Sequence, residues 1–294
     1  VNAWPGYIRN TYTGVISLPV QTDDWVFYYW HPGNGRWTTS VNLCDYWVMH
    51  VAAVCEFNNL ERYDNSSPRF NANPFTYIKS GMPQQIYNGA TDPDLDSIVV
   101  TPYYSLGCLI FNGANCPTCG GYSEVTYAAG LDVNNPIPTN PPNTYHVDPA
   151  TGTASFTTMG NTNFAFGYKL SEYDRRTGKL LGFVLRDIAL PIRPYTGGDF
   201  RIDSLPSNVN GAVVIPSGTN NLVVCPGTPV TFDMGVQPGA VGNIYMQAAH
   251  STAGAANFMV TGNGSNNPSG QFSWTPGVND IGEHVILITA TDSA

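Results

Sequence analysis

The chain has 294 residues, a length that suggests two or three domains with cores of their own. Only 11% of residues are charged against 42% hydrophobic, and 30 Gly and 23 Pro interrupt the apolar runs, the balance of short strands joined by many turns. A formal charge of −9, with 12 Lys and Arg and no basic run, argues against a nucleic-acid footprint or an anionic membrane surface. No stretch approaches the roughly 18 apolar residues of a membrane helix, so no direct membrane insertion is expected. The opening Val1-Asn2-Ala3-Trp4-Pro5 has neither region of a signal peptide, and the chain is expected to be mature after processing or cut from something larger.

Apolar residues alternate and do not recur at three and four, so strands are expected throughout and no amphipathic helix. In chain order the expected strands are residues 25–30, 46–57, 97–104, 163–173, 180–192, 230–234, 270–274 and 284–292. The clearest is 163–173: Phe164, Phe166, Tyr168 and Leu170 share one face while Ala165, Gly167, Lys169 and Ser171 share the other, as a half-buried strand requires. Asp174-Arg175-Arg176-Thr177-Gly178-Lys179 then reads as a turn, making a hairpin with 180–192. Residues 107–145, rich in Cys, Asn and Pro, read as a long ordered loop. Joints are expected at Asn65-Ser66-Ser67-Pro68 and at Arg193-Pro194-Tyr195-Thr196-Gly197-Gly198, dividing the chain into modules 1–65, 66–194 and 195–294. The class is all-β, with antiparallel β-sandwich modules. The first module is too short for a complete sandwich of about 100 residues and is expected to be a small or partial one.

Sequence gives little support to catalysis. There is no Gly-x-Ser-x-Gly elbow, no His-Glu-x-x-His and no phosphate-binding glycine loop. The histidines (His31, His50, His146, His250 and His284) are scattered one per segment, with His50 and His284 expected within strands as packed or solvent-facing rings. A carboxylate pair for glycosidase work would form only in space, and no spacing recommends one. The aromatic group Trp25, Phe27, Tyr28, Tyr29, Trp30, Trp37, Tyr46 and Trp47 suits core packing for half its members and a ligand or module contact for the rest.

The six cysteines are Cys44, Cys55, Cys108, Cys116, Cys119 and Cys225, and the count alone fits disulfides, buried thiols or metal ligands. With few Lys and an Asn-, Gly- and Thr-rich composition, an oxidised, exported protein is favoured. Cys116-Pro117-Thr118-Cys119 lacks the second pair of a zinc site and the βαβ context of a redox motif, so a disulfide staple of the long loop among Cys108, Cys116 and Cys119 is expected. Cys44 and Cys55 are expected to be unbonded, because one extended strand between them would hold them tens of ångströms apart against the ~5.5 Å a disulfide needs.

Asp92, Asp94 and Asp96 stand at alternate positions beside Pro93 in a turn-like segment. With backbone carbonyls and Asp64 or Asn65 from the joint, these carboxylates could collect a hard cation such as Ca2+. The rival expectation is a set of solvated turn acids, since Asp is favoured in turns for its own backbone hydrogen bonds.

Four ordered motifs carry a resemblance: Asn65-Ser66-Ser67-Pro68-Arg69-Phe70, Gly89-Ala90-Thr91-Asp92-Pro93-Asp94-Leu95-Asp96-Ser97, Val147-Asp148-Pro149-Ala150-Thr151-Gly152 and Gly182-Phe183-Val184-Leu185-Arg186-Asp187-Ile188. With Asp24-Trp25-Val26-Phe27 upstream and Val224-Cys225-Pro226-Gly227-Thr228-Pro229-Val230, Phe272-Ser273-Trp274-Thr275-Pro276 and Thr289-Ala290-Thr291-Asp292 downstream, the sequence resembles large Bacteroidota surface proteins with cadherin-like or PKD-like repeats, typified by gliding-motility adhesins. The resemblance implies tandem immunoglobulin-like sandwiches stacked as a rod, export by the type IX pathway to the bacterial cell surface, and a non-catalytic role in adhesion or gliding. The partners it implies are neighbouring modules of the same long chain, other adhesin chains in a filament, or surface glycans. It also implies calcium held between the segments 65–70 and 90–96, and it departs from the pattern at Lys79, where a cysteine is expected, which leaves the middle module's disulfide pairing open. Asp96-Ser97-Ile98, Asp203-Ser204-Leu205 and Asp292-Ser293-Ala294 resemble the O-glycosylation acceptor of that group, making Ser97, Ser204 and Ser293 candidates. Two rival expectations are a carbohydrate-binding accessory region of a secreted enzyme and a catalytic domain assembled from separated carboxylates.

Overall fold

Alternation of apolar and polar residues accounts for the regular structure of the computed structural model, which describes residues 12–31, 50–72, 78–108, 122–194, 200–216, 220–237, 243–250, 252 and 256–292. Among these residues there is no helix, and every ladder is antiparallel except a short parallel pairing of Ile78–Lys79 with the end of Leu180–Arg193. The expected strands appear as Trp25–His31, His50–Phe57, Ser97–Tyr103, Asn163–Tyr173, Leu180–Arg193, Val230–Gln237, Ser269–Trp274 and Ile286–Asp292. Residues 46–49 of the second expected strand lie outside the described part.

The hairpin of Asn163–Tyr173 and Leu180–Arg193 forms the centre of the largest sheet. Its turn is closed by Asp174, whose Oδ1 accepts the backbone N–H groups of Arg176 and Thr177 at 2.9 and 2.7 Å. Gly178 completes the turn at φ 70°, a conformation that a side chain would disfavour. The same Asp-x-x-Thr-Gly pattern recurs at Asp148–Gly152, where Asp148 Oδ1 accepts from Ala150 and Thr151 at 2.9 and 2.8 Å and Gly152 sits at φ 69°. Local side-chain bonding thus specifies two turns with one short motif.

Ser97–Tyr103 adds to one side of the hairpin, and His50–Phe57 adds to the other through Gly182↔Phe57 to Arg186↔Ala53. Trp25–His31 pairs in turn with His50–Phe57. The sheet therefore runs across the boundary expected at residue 65, and the strands of the first expected module belong to the sheet of the second. Part of the expected long loop is also strand, since Leu106–Cys108 pairs with Tyr122–Glu124.

A second sheet of Pro83–Ile86, Ala154–Thr157 and His146–Val147 packs over one face. Between them lies a core that includes Phe156, Phe164, Phe166, Tyr168, Leu170, Ile188 and Leu190. The half-buried expectation for residues 163–173 does not hold, because Phe164 to Tyr168 are all buried. On the opposite face Ala165 is covered by Tyr127 with Tyr104, Val125, Leu131 and Val133, and Phe183 and Leu185 pack with Val54 and Leu106. The segment after Tyr122 is the cover that the strand alone does not announce.

No described strand after Arg193 pairs with one before it. The C-terminal unit forms around Val230–Gln237, whose strict alternation sends Val230, Phe232, Met234 and Val236 into a core with Ile244, Met246, Phe272 and Trp274. Phe232 stacks on Phe272 with ring centroids 5.0 Å apart.

Candidate metal centre

Three local structures converge at one end of the large sheet. The segment after Ala90–Thr91 turns on Asp92, whose Oδ1 accepts the backbone N–H groups of Asp94 and Asp96, each at 2.9 Å. Leu95, between them, takes the left-handed conformation at φ 64°. The ladder of Ala90–Thr91 with Arg69–Phe70 draws the preceding segment alongside, so that Ser66 N–H donates to Asp94 Oδ2 at 2.6 Å. The pairing of Ser97–Tyr103 with Asn163–Tyr173 sets Ile98 opposite Glu172, at the foot of the same turn.

As a result, one carboxylate oxygen each from Asp92, Asp96 and Glu172 lie within 4.8 Å of one another. Asp92 is 4% exposed and Glu172 1% exposed. Asp92 Oδ2, Glu172 Oε1 and Asn65 Oδ1 are buried with no N–H or hydroxyl donor, the Glu172 and Asp92 carboxyls facing each other within hydrogen-bond reach, whereas Glu172 Oε2 accepts the Asn65 side-chain amide at 2.9 Å. Buried acceptors left in this state are costly, and a cation would satisfy them together. Calcium takes six to eight oxygens at about 2.3–2.6 Å, so oxygens on opposite sides of one ion stand about 5 Å apart, a span the three carboxylates match. Asn65 Oδ1 is a fourth oxygen of the hard type that such an ion prefers.

The electrostatics record the same crowding. Burial pushes the Glu172 carboxyl up to about 8, and the charges of Asp92 and Asp96 add to this against the opposing pull of the Asn65 amide. Asp92 is also raised, first by burial, although its two backbone donors pull the other way. Arg62 partly balances the group: its guanidinium bonds Asp96 Oδ2 and stands 3.7 Å from Asp94 Oδ2 and 3.4 Å from Asp64 Oδ1.

Of the five residues expected to hold a cation, Asp92 and Asp96 are in the cluster and Asn65 borders it. Asp94 instead accepts from Ser66 and faces Arg62, and Asp64 is a mostly exposed partner of Arg62. Glu172 is the member that sequence reasoning missed. Its signal was parity: it continues the series Phe164, Phe166, Tyr168 and Leu170, where a charged residue is out of place.

The other candidates lie apart. Cys55 is a free thiol 3.5 Å from Ser67 Oγ, and Cys225 is free and exposed. Cys44, Cys116, Cys119 and the side chain of Cys108 lie outside the described residues, as does Ser293. Ser97 and Ser204 are exposed. His284 precedes the last strand instead of lying within it, and its ring packs edge-on to Trp274 at 5.0 Å and meets Asp280 O at 2.9 Å. Of the aromatic group, Tyr28 and Tyr29 are exposed on Trp25–His31, and the side chains of Trp30, Trp37, Tyr46 and Trp47 lie outside the described residues. No protein-family model matches this chain, and no curated protein is significantly similar to it.

Proposed function

We propose that this chain is a non-catalytic, calcium-stabilised spacer segment of a bacterial cell-surface adhesin, its tandem immunoglobulin-like, cadherin- or PKD-like modules supporting adhesion or gliding. The observation that carries the reading is the convergence of Asp92, Asp96 and Glu172, with unpartnered buried oxygens, at a turn that ties several strands together. A divalent ion there would crosslink the segments around Asn65, Asp92 and Glu172 and stiffen the end of the sheet without doing chemistry on a substrate. Such an ion suits a protein outside the cell, where calcium is plentiful enough to fill sites with dissociation constants of about 10⁻⁴–10⁻³ M. The same turn faces the C-terminal unit: a Cβ added at Gly282 would lie 3.0 Å from Leu95 Cδ2, and one at Gly89 would lie 3.6 Å from Val285 Cγ1.

Type IX export and the partners, namely neighbouring modules, other adhesin chains or surface glycans, belong to this reading. Antibody raised against the chain should label intact cells of the natural host, and cells lacking the gene should attach or glide poorly. Labelling only after lysis, with attachment and gliding unchanged by the deletion, contradicts the reading.

A carbohydrate-binding accessory role is the second reading, favoured by one observation. Tyr12 and Tyr29 stack at 5.8 Å with both rings exposed, presenting aromatic faces of the kind that meet sugar rings. Binding to a glycan array that is lost in Tyr29→Ala would favour it over the spacer.

A further inference from the structure

Resting on the cation site proposed above, we propose that Arg62 is a tethered counter-cation of the acid cluster, one that holds Asp96 while the site is empty and competes with an incoming divalent ion. The placement of Arg62 is built in. Asn58 Oδ1 accepts the backbone N–H groups of Leu60 and Glu61 at 3.1 and 3.0 Å, fixing the turn that leads to it. Glu61 anchors the same turn through Lys179 Nζ at 2.8 Å. From there the guanidinium reaches three carboxylates, Asp64, Asp94 and Asp96, and is itself three-quarters buried.

The consequence falls on Asp96. Its Oδ1 accepts the Arg175 N–H at 3.2 Å and its Oδ2 accepts from Arg62, so both oxygens already have donors. Asp92 and Glu172, by contrast, each have one buried oxygen with no donor outside the pair, the two carboxyls facing one another. An ion that takes all three carboxylates must therefore share or displace the guanidinium at Asp96, and the two cations repel across a few ångströms. Arg62 thereby weakens the site and sets a higher calcium level for its filling, while preventing four neighbouring carboxylates from standing wholly uncompensated in its absence.

Calorimetric titration of calcium chloride into the full chain tests this. Arg62→Gln should bind calcium about tenfold or more tightly than the parent, the factor expected from removing a like charge beside a divalent ion even at the dielectric of water. Its calcium-free form should melt at a lower temperature than the calcium-free parent. Arg62→Lys, which keeps the charge but cannot bridge three carboxylates, should fall between the two, and Arg201→Gln, which removes an exposed cation of the C-terminal unit, should bind as the parent does. If the parent binds calcium and Arg62→Gln binds equally or more weakly, Arg62 is no competitor and the cation site stands without it. If neither chain binds calcium, both this assignment and the cation site fail.

Discussion

Glu172 stands where the alternation of its strand calls for an apolar residue, and its carboxyl is almost wholly buried beside two others. In calcium-free solution near neutral pH the folded chain must hold this carboxyl protonated against its ordinary tendency to ionise, which opposes folding, so Glu172→Gln, which keeps the shape, should raise the melting temperature by about 2 °C or more. The same variant should lose most of the gain that calcium gives the parent; thermal melts with calcium and with chelator check both halves. The pH dependence has a definite sign. Because the folded pKa of Glu172 is raised to about 8, the folded chain holds this proton where the unfolded chain has released it. The stability contributed by this group is therefore full in acid and is lost as pH rises from the ordinary carboxylate range through about 8. Urea unfolding in chelator at about pH 5 and about pH 8 should show this fall, and saturating calcium should remove it. Asp92 and Asp96 were legible as site residues because a turn brings alternate positions together locally. Glu172 was not, because only the register of Ser97–Tyr103 against Asn163–Tyr173 delivers it.

At the scale of elements, the hairpin was readable because its alternation and its Asp-x-x-Thr-Gly turn are both local signals. Gly178→Ala should cost about 1–2 kcal/mol in urea unfolding, since the left-handed backbone at this position disfavours a Cβ. At Gly178, as at Gly160 with φ 110°, nothing lies within 4 Å of the added Cβ, so a loss in either Ala variant reports backbone strain without a clash. What sequence periodicity missed is the cover on the second face. Tyr127 and Val125 lie about forty residues from Ala165 along the chain, and an irregular segment with no repeat of its own supplies them. The expected loop at 107–145 contains the strand Tyr122–Glu124, and the role of the chain just beyond it as a cover on the sheet was hidden.

At the scale of the molecule, the boundary expected at residue 65 fails for the same reason: the partner of His50–Phe57 is at residues 182–186, and no local feature of either strand names the other. The break near residue 195 is a better guide, since no described ladder crosses it. Phe232→Ala should therefore destabilise the C-terminal unit by about 3–5 kcal/mol and leave calcium affinity unchanged, as calorimetric unfolding and titration would show. The acid turn is tied to the large sheet, and Leu95 within it lies beside Gly282 of the C-terminal unit. The most direct measurement is the melting temperature of the full chain in excess calcium and in chelator, for the parent and for Asp92→Asn. The parent should be more stable in calcium, by about 2.7 kcal/mol at a hundredfold excess over the dissociation constant, and Asp92→Asn should lose most of that difference. A parent that melts at the same temperature in calcium and in chelator would contradict the cation site.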